Sequence, residues 1–233
     1  MNKDSLGDRM KANYEDRTRH YLLRRCPVAL RFDGRAFRSF TKKFEKPYSL
    51  LLKKAMEYTT LALCNEIQGA KLAYTQSDEI SILLTDYGTL TTCAWFDYNI
   101  QKMSSIGASI ATEAFNTYIR DYVHKSAYFD CRCFNLPKEE VINYFVWRFK
   151  DWERNSIQML AQSFYSHKEL HGKNCSDLQE MCFQKGRNWA DLPNVWKNGS
   201  FIYKENGKFI VSHDKRLPQD REFFEQFVNV EKE

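Results

Sequence analysis

Long apolar runs are missing from this chain: nowhere do its 233 residues offer the roughly 18 uninterrupted apolar positions of a membrane-spanning helix. Proline and glycine are scarce, at 5 and 9 residues, and neither a repeat nor a low-complexity tract breaks the chain, so no linker is visible. The opening stretch MNKDSLGDRMKANYEDRTRHY is charged throughout and lacks the apolar core of a secretory signal. Cysteine is present, at positions 26, 64, 93, 131, 133, 175 and 182, but the count is odd and there is no CxxC. That argues against a disulfide framework and against the usual zinc ligand pairs, and for reduced thiols in a cytoplasmic protein. Cys131 and Cys133, two apart, would face the same side of a strand.

What is present is an ordinary globular composition, 43% hydrophobic and 15% aromatic, long enough for a sizeable core. The net charge of +5 permits a polyanionic partner without requiring one. Residues 5–23 read as a polar helix or arm. CPVALRFDG is an apolar strand ending at an Asp-Gly turn. A helix follows from Pro47, with Leu52, Met56, Thr59, Leu63 and Ile67 on one face and Gly69 as its stop. AKLAYT and EISILLTDY are strands joined by a tight turn at Gln76, Ser77 and Asp78. A long helix is expected from about Thr92 to Tyr122, with Met103, Ile106, Ile110 and Ala114 inward, then a strand within Ser126–Pro137. The region after Pro137 reads as one or two helices, a helix at about Ser176–Gln184, and a hairpin turning at Asn206-Gly207.

The order strand, helix, strand, strand, helix, strand is the α+β, ferredoxin-like (βαββαβ) arrangement. Residues 1–136 would form the arm and this sheet domain; residues 137–233 would form a helical and hairpin extension packed on it as one structural unit.

Acids interrupt the apolar strands at two places, Asp33 at one and the pair Asp78-Glu79 at the other. In this arrangement the first strand lies beside the second and third, and its end meets the hairpin turn, making Asp33 and Asp78 neighbours. Two adjacent carboxylates repel, and a divalent cation between them resolves the conflict. Mg²⁺ takes one or two carboxylates and completes its shell with water and phosphate oxygens. Two such ions serve an in-line phosphoryl or nucleotidyl displacement. The turn Gly34-Arg35-Ala36-Phe37-Arg38 offers backbone N–H groups to a triphosphate, and Arg31, Arg35, Arg38, Lys42, Lys43 and Lys46 supply counter-charge. Either motif alone is a common turn; the pair at adjacent ends of one sheet is the stronger signal.

RFDGRAFRSF, the KP at 46–47 and AYTQSDEISILL, in this order and spacing, resemble the histidine-tRNA guanylyltransferase family, as do LGDRMKANYE, WF at 95–96 and VWRFKDW. The resemblance implies a polymerase-type palm that extends the 5′ end of tRNA in the 3′–5′ direction. A 5′-monophosphate is activated with ATP or GTP, and the 3′-hydroxyl of an incoming nucleoside triphosphate attacks it. It also implies two Mg²⁺ held by Asp33, Asp78 and the Gly34 carbonyl, with Glu79 supporting them. Arg35, Ala36, Phe37 and Arg38 fall where backbone groups hold the triphosphate, Lys46 and Ser77 at phosphate contacts, and Lys102 at a second triphosphate. The family's assembly implies a homotetramer, a dimer of dimers, with the long helix as an interface.

One departure is informative. Where eukaryotic members carry HINNLYN, this chain has ERNSIQM, so only Asn155 keeps its identity. That resembles the bacterial and archaeal guanylyltransferase-like branch, associated with template-dependent repair of 5′-truncated tRNA, and puts untemplated addition of one G to histidine tRNA second. Arg148, Lys150, Arg154, Lys168, Lys173, Lys185, Arg187 and Lys197 form a basic set in the C-terminal third, of which Arg154, Lys185 and Arg187 are the candidate tRNA contacts. Trp147, Trp152, Trp189 and Trp196 are expected in the core, and His167 and His171 make no defensible metal site. A palm-fold nucleotidyl cyclase and a non-catalytic tRNA-binding module remain alternatives of other classes.

Overall fold

The computed structural model describes residues 5–229. Six strands, β1 (Val28–Gly34), β2 (Ala70–Gln76), β3 (Glu79–Leu84), β4 (Phe129–Asn135), β5 (Ser200–Glu205) and β6 (Lys208–Ser212), form one sheet in the order β4-β1-β3-β2-β5-β6. Every neighbouring pair is antiparallel. The helices are α1 (Leu6–Met10), α2 (Phe37–Phe40), α3 (Leu50–Glu66), α4 (Ile100–Ile119), α5 (Lys138–Gln162), α6 (His167–Leu170), α7 (Cys175–Gln184), α8 (Asn194–Lys197) and α9 (Arg221–Glu225). None among the described residues is long and apolar enough to cross a membrane.

The period of two along each strand divides the core. Leu30, Phe32, Ile80 and Ile82 pack against Met56 and Leu63 of α3 and Met103 and Phe115 of α4. The alternate positions, Ala29, Leu72, Tyr74, Leu83 and Phe201, meet Val141, Phe145 and Phe149 of α5 and Phe224 of α9. A third cluster joins the C-terminal part of α5 to α7, through Trp152, Leu160, Leu178, Cys182 and Trp189. Each such large side chain taken fully out of water contributes about 1.5–3 kcal/mol.

Several expectations change in detail. β1 lies between β3 and β4, so it pairs with the third strand and not with the second. The C-terminal hairpin adds to the same sheet, β5 against β2, because its inward residues continue both core faces. The helix expected from Pro47 starts later, with the Ser49 side chain accepting from Leu52 N–H at 3.3 Å. Gly69 does end that region, at φ +85°, where a Cβ would sit 2.8 Å from the Thr85 carbonyl oxygen.

The helix expected from Thr92 begins only at Ile100. Phe96, Asp97 and Tyr98 all have positive φ, and Asn99 caps α4 by accepting from Lys102 N–H at 3.0 Å. Within α4 the inward stripe is Met103, Gly107, Ala111, Ala114, Phe115 and Ile119; Ile110 is half-buried and Ile106 is exposed. The stretch after Pro137 is one unbroken 25-residue helix, α5. The hairpin turns at Asn206 and Gly207, both at positive φ, as the Asn-Gly pair predicts.

Candidate active site

The turn between β2 and β3 uses two central residues, Ser77 and Asp78, between the paired Gln76 and Glu79. Ser77 takes φ +50°, and its hydroxyl donates to Asp78 Oδ1 at 3.0 Å. The end of β1 is tied to this turn: Gly34 N–H donates to the Asp78 carbonyl at 3.1 Å, and Asp33 stands opposite Glu79 in the ladder. The two acids expected to meet are therefore held together by backbone. Burial raises the Asp78 pKa, the neighbouring Asp33 raises it further, and the Ser77 hydroxyl opposes both.

Gly34 is required by close approach: a Cβ there would lie 2.3–2.7 Å from the Phe37 ring. Phe37 is buried against Phe40, Phe115 and Phe129 at centroid distances of 5.2–5.3 Å, which anchors the turn from below. Ala36 adopts the left-handed conformation, φ +56°, and starts α2. Of the N–H groups expected to cradle phosphate, two are used internally, Gly34 on Asp78 and Arg35 on the Tyr128 carbonyl at 2.8 Å. Those of Ala36, Phe37 and Arg38 find no acceptor among the described residues. Arg35 and Arg38 are exposed.

Glu79 follows Asp78 in sequence but is engaged elsewhere. It is 6% exposed and lies between Arg31, at 2.8 Å, and Arg148, at 3.0 Å. Burial raises its pKa against the opposing pull of both arginines. Arg31 thus spends its guanidinium on Glu79, and Arg148, itself 3% exposed, joins Glu79 to Asp151 of α5. Arg148 is a clamp between sheet and helix, not the surface cation its sequence position suggests. Among the described residues neither Asp33 nor Asp78 pairs with an arginine: Asp78 is bonded by the Ser77 hydroxyl, and Arg31 and Arg132 engage Glu79 and Asp130.

The remaining expected residues are more dispersed. Lys46 is exposed beside Pro47, Met159 and Ser163. Lys102 is exposed in the first turn of α4. Asn155 is half-buried on α5, next to Arg154, which pairs with Asp151. Lys185 lies over the Tyr165 ring at 5.3 Å, and Arg187 lines a groove with Glu45, Lys46, Tyr48 and Trp196. His171 falls outside α6, which ends at Leu170. Of the tryptophans expected inside, Trp152 and Trp189 are buried and Trp196 is half-buried, whereas Trp147 is 52% exposed.

Sequence reasoning missed the cleft beside the turn. It is lined by Ser77, Gln76, Lys53, Trp152 and a stacked pair, Tyr48 and Trp196, 5.2 Å apart and nearly parallel. Gln76 Oε1 is buried there without a hydrogen-bond partner. Burial lowers the Lys53 pKa to about 8, against the attraction of Glu57, and its ammonium donates to the Ser200 hydroxyl. Glu57 in turn accepts from Ser200 at 2.7 Å and contacts His213 Nε2 at 2.7 Å. Burial pushes the Glu57 pKa up, but His213, Ser200 and Lys53 together hold it below the usual value. The i, i+4 spacing of Lys53 and Glu57 was the sequence signal; Ser200 and His213 join them only through the β5–β6 hairpin. Asp130 was also overlooked. It stands opposite Asp33 on β4, with Arg132 at 3.7 Å.

Among the described residues no three His, Cys, Asp or Glu side chains converge as a metal cluster. The oxygen-only set of Asp33, Asp78 and the Gly34 carbonyl nonetheless suits a hard divalent cation that also takes phosphate oxygens. Burial, and to a lesser degree the Asp33 charge, disfavours the ionised Asp78 carboxylate, and such a cation would offset both. Chemically, the arrangement joins an acidic pair, free N–H donors on the adjoining turn and an aromatic cleft within one surface.

The family model for tRNAHis guanylyltransferase (Thg1) matches residues 7–137. A bacterial tRNA(His) guanylyltransferase (Thg1)-like protein solved in complex with ATP is 44% identical, with a TM-score of 0.92, covering 97% of this chain and 100% of that one. A bacterial Thg1-like protein in complex with GTP is 43% identical, with a TM-score of 0.86, over 97% and 99% of the two chains. The tRNA(His) guanylyltransferase of Saccharomyces cerevisiae is 25% identical over 235 residues, 90% of this chain and 94% of that protein. The mixed helical and antiparallel-sheet fold is that of the Thg1 structures, and the chain belongs to the tRNA(His) guanylyltransferase family of nucleotidyltransferases.

Proposed function

We propose that this protein is a Mg²⁺-dependent nucleotidyltransferase that adds nucleotides to the 5′ end of tRNA in the 3′–5′ direction, repairing 5′-truncated tRNA against its opposite strand. The observation that carries this is the acid pair, Asp33 and Asp78, brought together with, among the described residues, no arginine partner and no acceptor for the adjoining N–H groups of Ala36, Phe37 and Arg38. In this reading β1–β4 with α3 and α4 act as a ferredoxin-like, polymerase-type palm, and the remaining elements brace it as one unit.

Asp33, Asp78 and the Gly34 carbonyl would hold two Mg²⁺. When bound, these ions supply activation of the attacking oxygen and neutralisation of the leaving group. The chain's own groups do the rest. The turn at 36–38 and the Ser77 hydroxyl orient a triphosphate, while Arg35, Arg38 and Lys46 offset its charge. Lys102 receives a second triphosphate, and Asn155 borders the nucleotide. The half-buried Trp196 ring, beside the cleft at Ser77, is the aromatic surface offered to a flat base. Glu79 acts through position: clamped by Arg31 and Arg148, it fixes the first residue of β3 and so the aim of Asp78. Arg154, Lys185 and Arg187 meet tRNA phosphates. In the first step an oxygen of the RNA 5′-phosphate attacks the α-phosphorus of ATP or GTP, and pyrophosphate leaves. In the second the 3′-hydroxyl of the incoming triphosphate loses its proton and attacks the 5′-phosphorus, and the nucleoside monophosphate leaves. The working assembly is a homotetramer, and its compartment is the cytoplasm.

The test is a 5′-monophosphorylated tRNA lacking its first nucleotide, incubated with ATP, Mg²⁺ and each nucleoside triphosphate in turn. Addition only of the nucleotide that pairs with the opposing base is expected. Addition of G whatever the opposing base would replace repair by guanylylation. A cyclic nucleotide product with no labelled tRNA would replace both by a cyclase, and tRNA binding with neither product by a binding module.

A further inference from the structure

Of the five tryptophans, Trp147 alone is more than half exposed, at 52%. It is nevertheless firmly seated. The guanidinium of the buried Arg148 lies 4.1 Å from its ring centroid, that of Arg31 lies 5.7 Å away, and Tyr144 packs edge-on at 5.9 Å. The ring is held by these contacts and still leaves about half of its surface open, at 52% exposure. The position is close to the candidate active site: Arg31 and Asp33 are i, i+2 on one face of β1, so the ring stands on the order of 10 Å from Asp33. The surrounding surface is polar and charged, with Asp130 beside Arg132 and Asp151 one turn further along α5. Arg132 stands opposite Arg31 on β4 and Lys150 follows three residues on along α5, both exposed, while the nearby Tyr144 is covered.

We propose that Trp147 is a stacking platform for an unpaired nucleobase of the RNA substrate, beside the 5′ end being extended. The inference rests on the nucleotidyl-transfer reading of the adjacent acids. An unpaired base offers a bare π face to an indole whatever its identity, and the exposed Arg132 and Lys150 are placed to offset the phosphates on either side. Because Arg148 and Tyr144 fix the ring before the RNA arrives, little side-chain freedom is lost on stacking. A protein partner would call for an apolar surface continuing around the indole, and the neighbouring charges interrupt one.

The experiment uses two labelled RNA hairpins with a 5′-monophosphate, one carrying four unpaired 3′ nucleotides and one blunt. Binding is read by fluorescence anisotropy without Mg²⁺ or nucleotide, and KM for each RNA and for ATP is measured separately. Trp147→Ala should weaken binding of the overhang hairpin about tenfold and raise its KM in parallel, while Trp147→Phe retains most of the affinity. The blunt hairpin and the KM for ATP should not respond. Equal affinity of wild type and Trp147→Ala for the overhang hairpin would overturn the proposal. So would an equal loss on both hairpins, or a drop in sedimentation coefficient showing that the ring joins two copies. Binding is read without catalysis, so a wild-type protein that shows the Trp147 effect but transfers no nucleotide refutes the transferase reading alone.

Discussion

Asp33 and Asp78 were legible in the sequence because a carboxylate at the end of an apolar strand is costly unless something uses it. Glu79 beside them looked equivalent, yet its carboxylate turns into the sheet–helix junction between Arg31 and Arg148. No pattern in the sequence separates the two, since the partners of Glu79 come from β1 and α5, 48 residues before it and 69 after. The same is true of Trp147, expected in the core by its residue type and left exposed by the pairing of Arg148 with Glu79. Gly34 gives a sharp prediction at this scale. Gly34→Ala would drive a methyl into the Phe37 ring, and overpacking of this kind costs about 1–3 kcal/mol. Nucleotide addition should fall far more than the shift in urea midpoint implies, because the turn that carries the free N–H groups moves with the ring.

Lys53 offers a test by pH. Its pKa is lowered from 10.5 to about 8 by burial, so between those values the folded protein binds fewer protons here than the unfolded chain. Stability from this group therefore rises as pH climbs from about 8 to about 10.5, and below that window the buried charge is a burden on the order of 3 kcal/mol. Lys53→Met should raise the urea-derived stability at pH 7, with its advantage over wild type shrinking through that window. An advantage that stays constant with pH would show that Lys53 is not the group titrating.

Among the elements, α5 carries the most consequence. Its apolar stripe covers the sheet face that presents Asp33 and Glu79, and Arg148 fastens it there. Removing one partner of a buried ion pair leaves the other uncompensated, so Arg148→Ala should cost about 3–5 kcal/mol, read as a lowered urea midpoint. Helix existence was readable from periodicity, but starts were not. Thr92–Asn99 has apolar residues at helical spacing, and three consecutive positive-φ residues prevent a helix until Asn99 can cap one. Hairpin turns were readable because Asn206-Gly207 and Ser77-Asp78 are short-range signals; which edge the second hairpin joins depends on β2–β5 packing, a contact across more than 120 residues.

For the whole molecule, family likeness and physical unit differ in extent. The family match ends at residue 137, while the sheet it describes is covered on one face by α5 and α9 and extended by β5 and β6. Leu72, Tyr74 and Leu83 would be bare without them. Residues 1–137 expressed alone should therefore give poorly dispersed NMR spectra and no cooperative thermal transition, whereas a well-dispersed spectrum would show that the N-terminal part folds independently.

The most direct test of the central claim compares wild type with Asp78→Ala, using a 5′-end-labelled, first-nucleotide-deficient tRNA with ATP, the pairing nucleoside triphosphate and Mg²⁺. We predict extension by the wild type that stops when Mg²⁺ is chelated, and none by Asp78→Ala despite near-normal tRNA affinity. Extension by Asp78→Ala at a rate close to wild type would contradict the assignment of the acid pair.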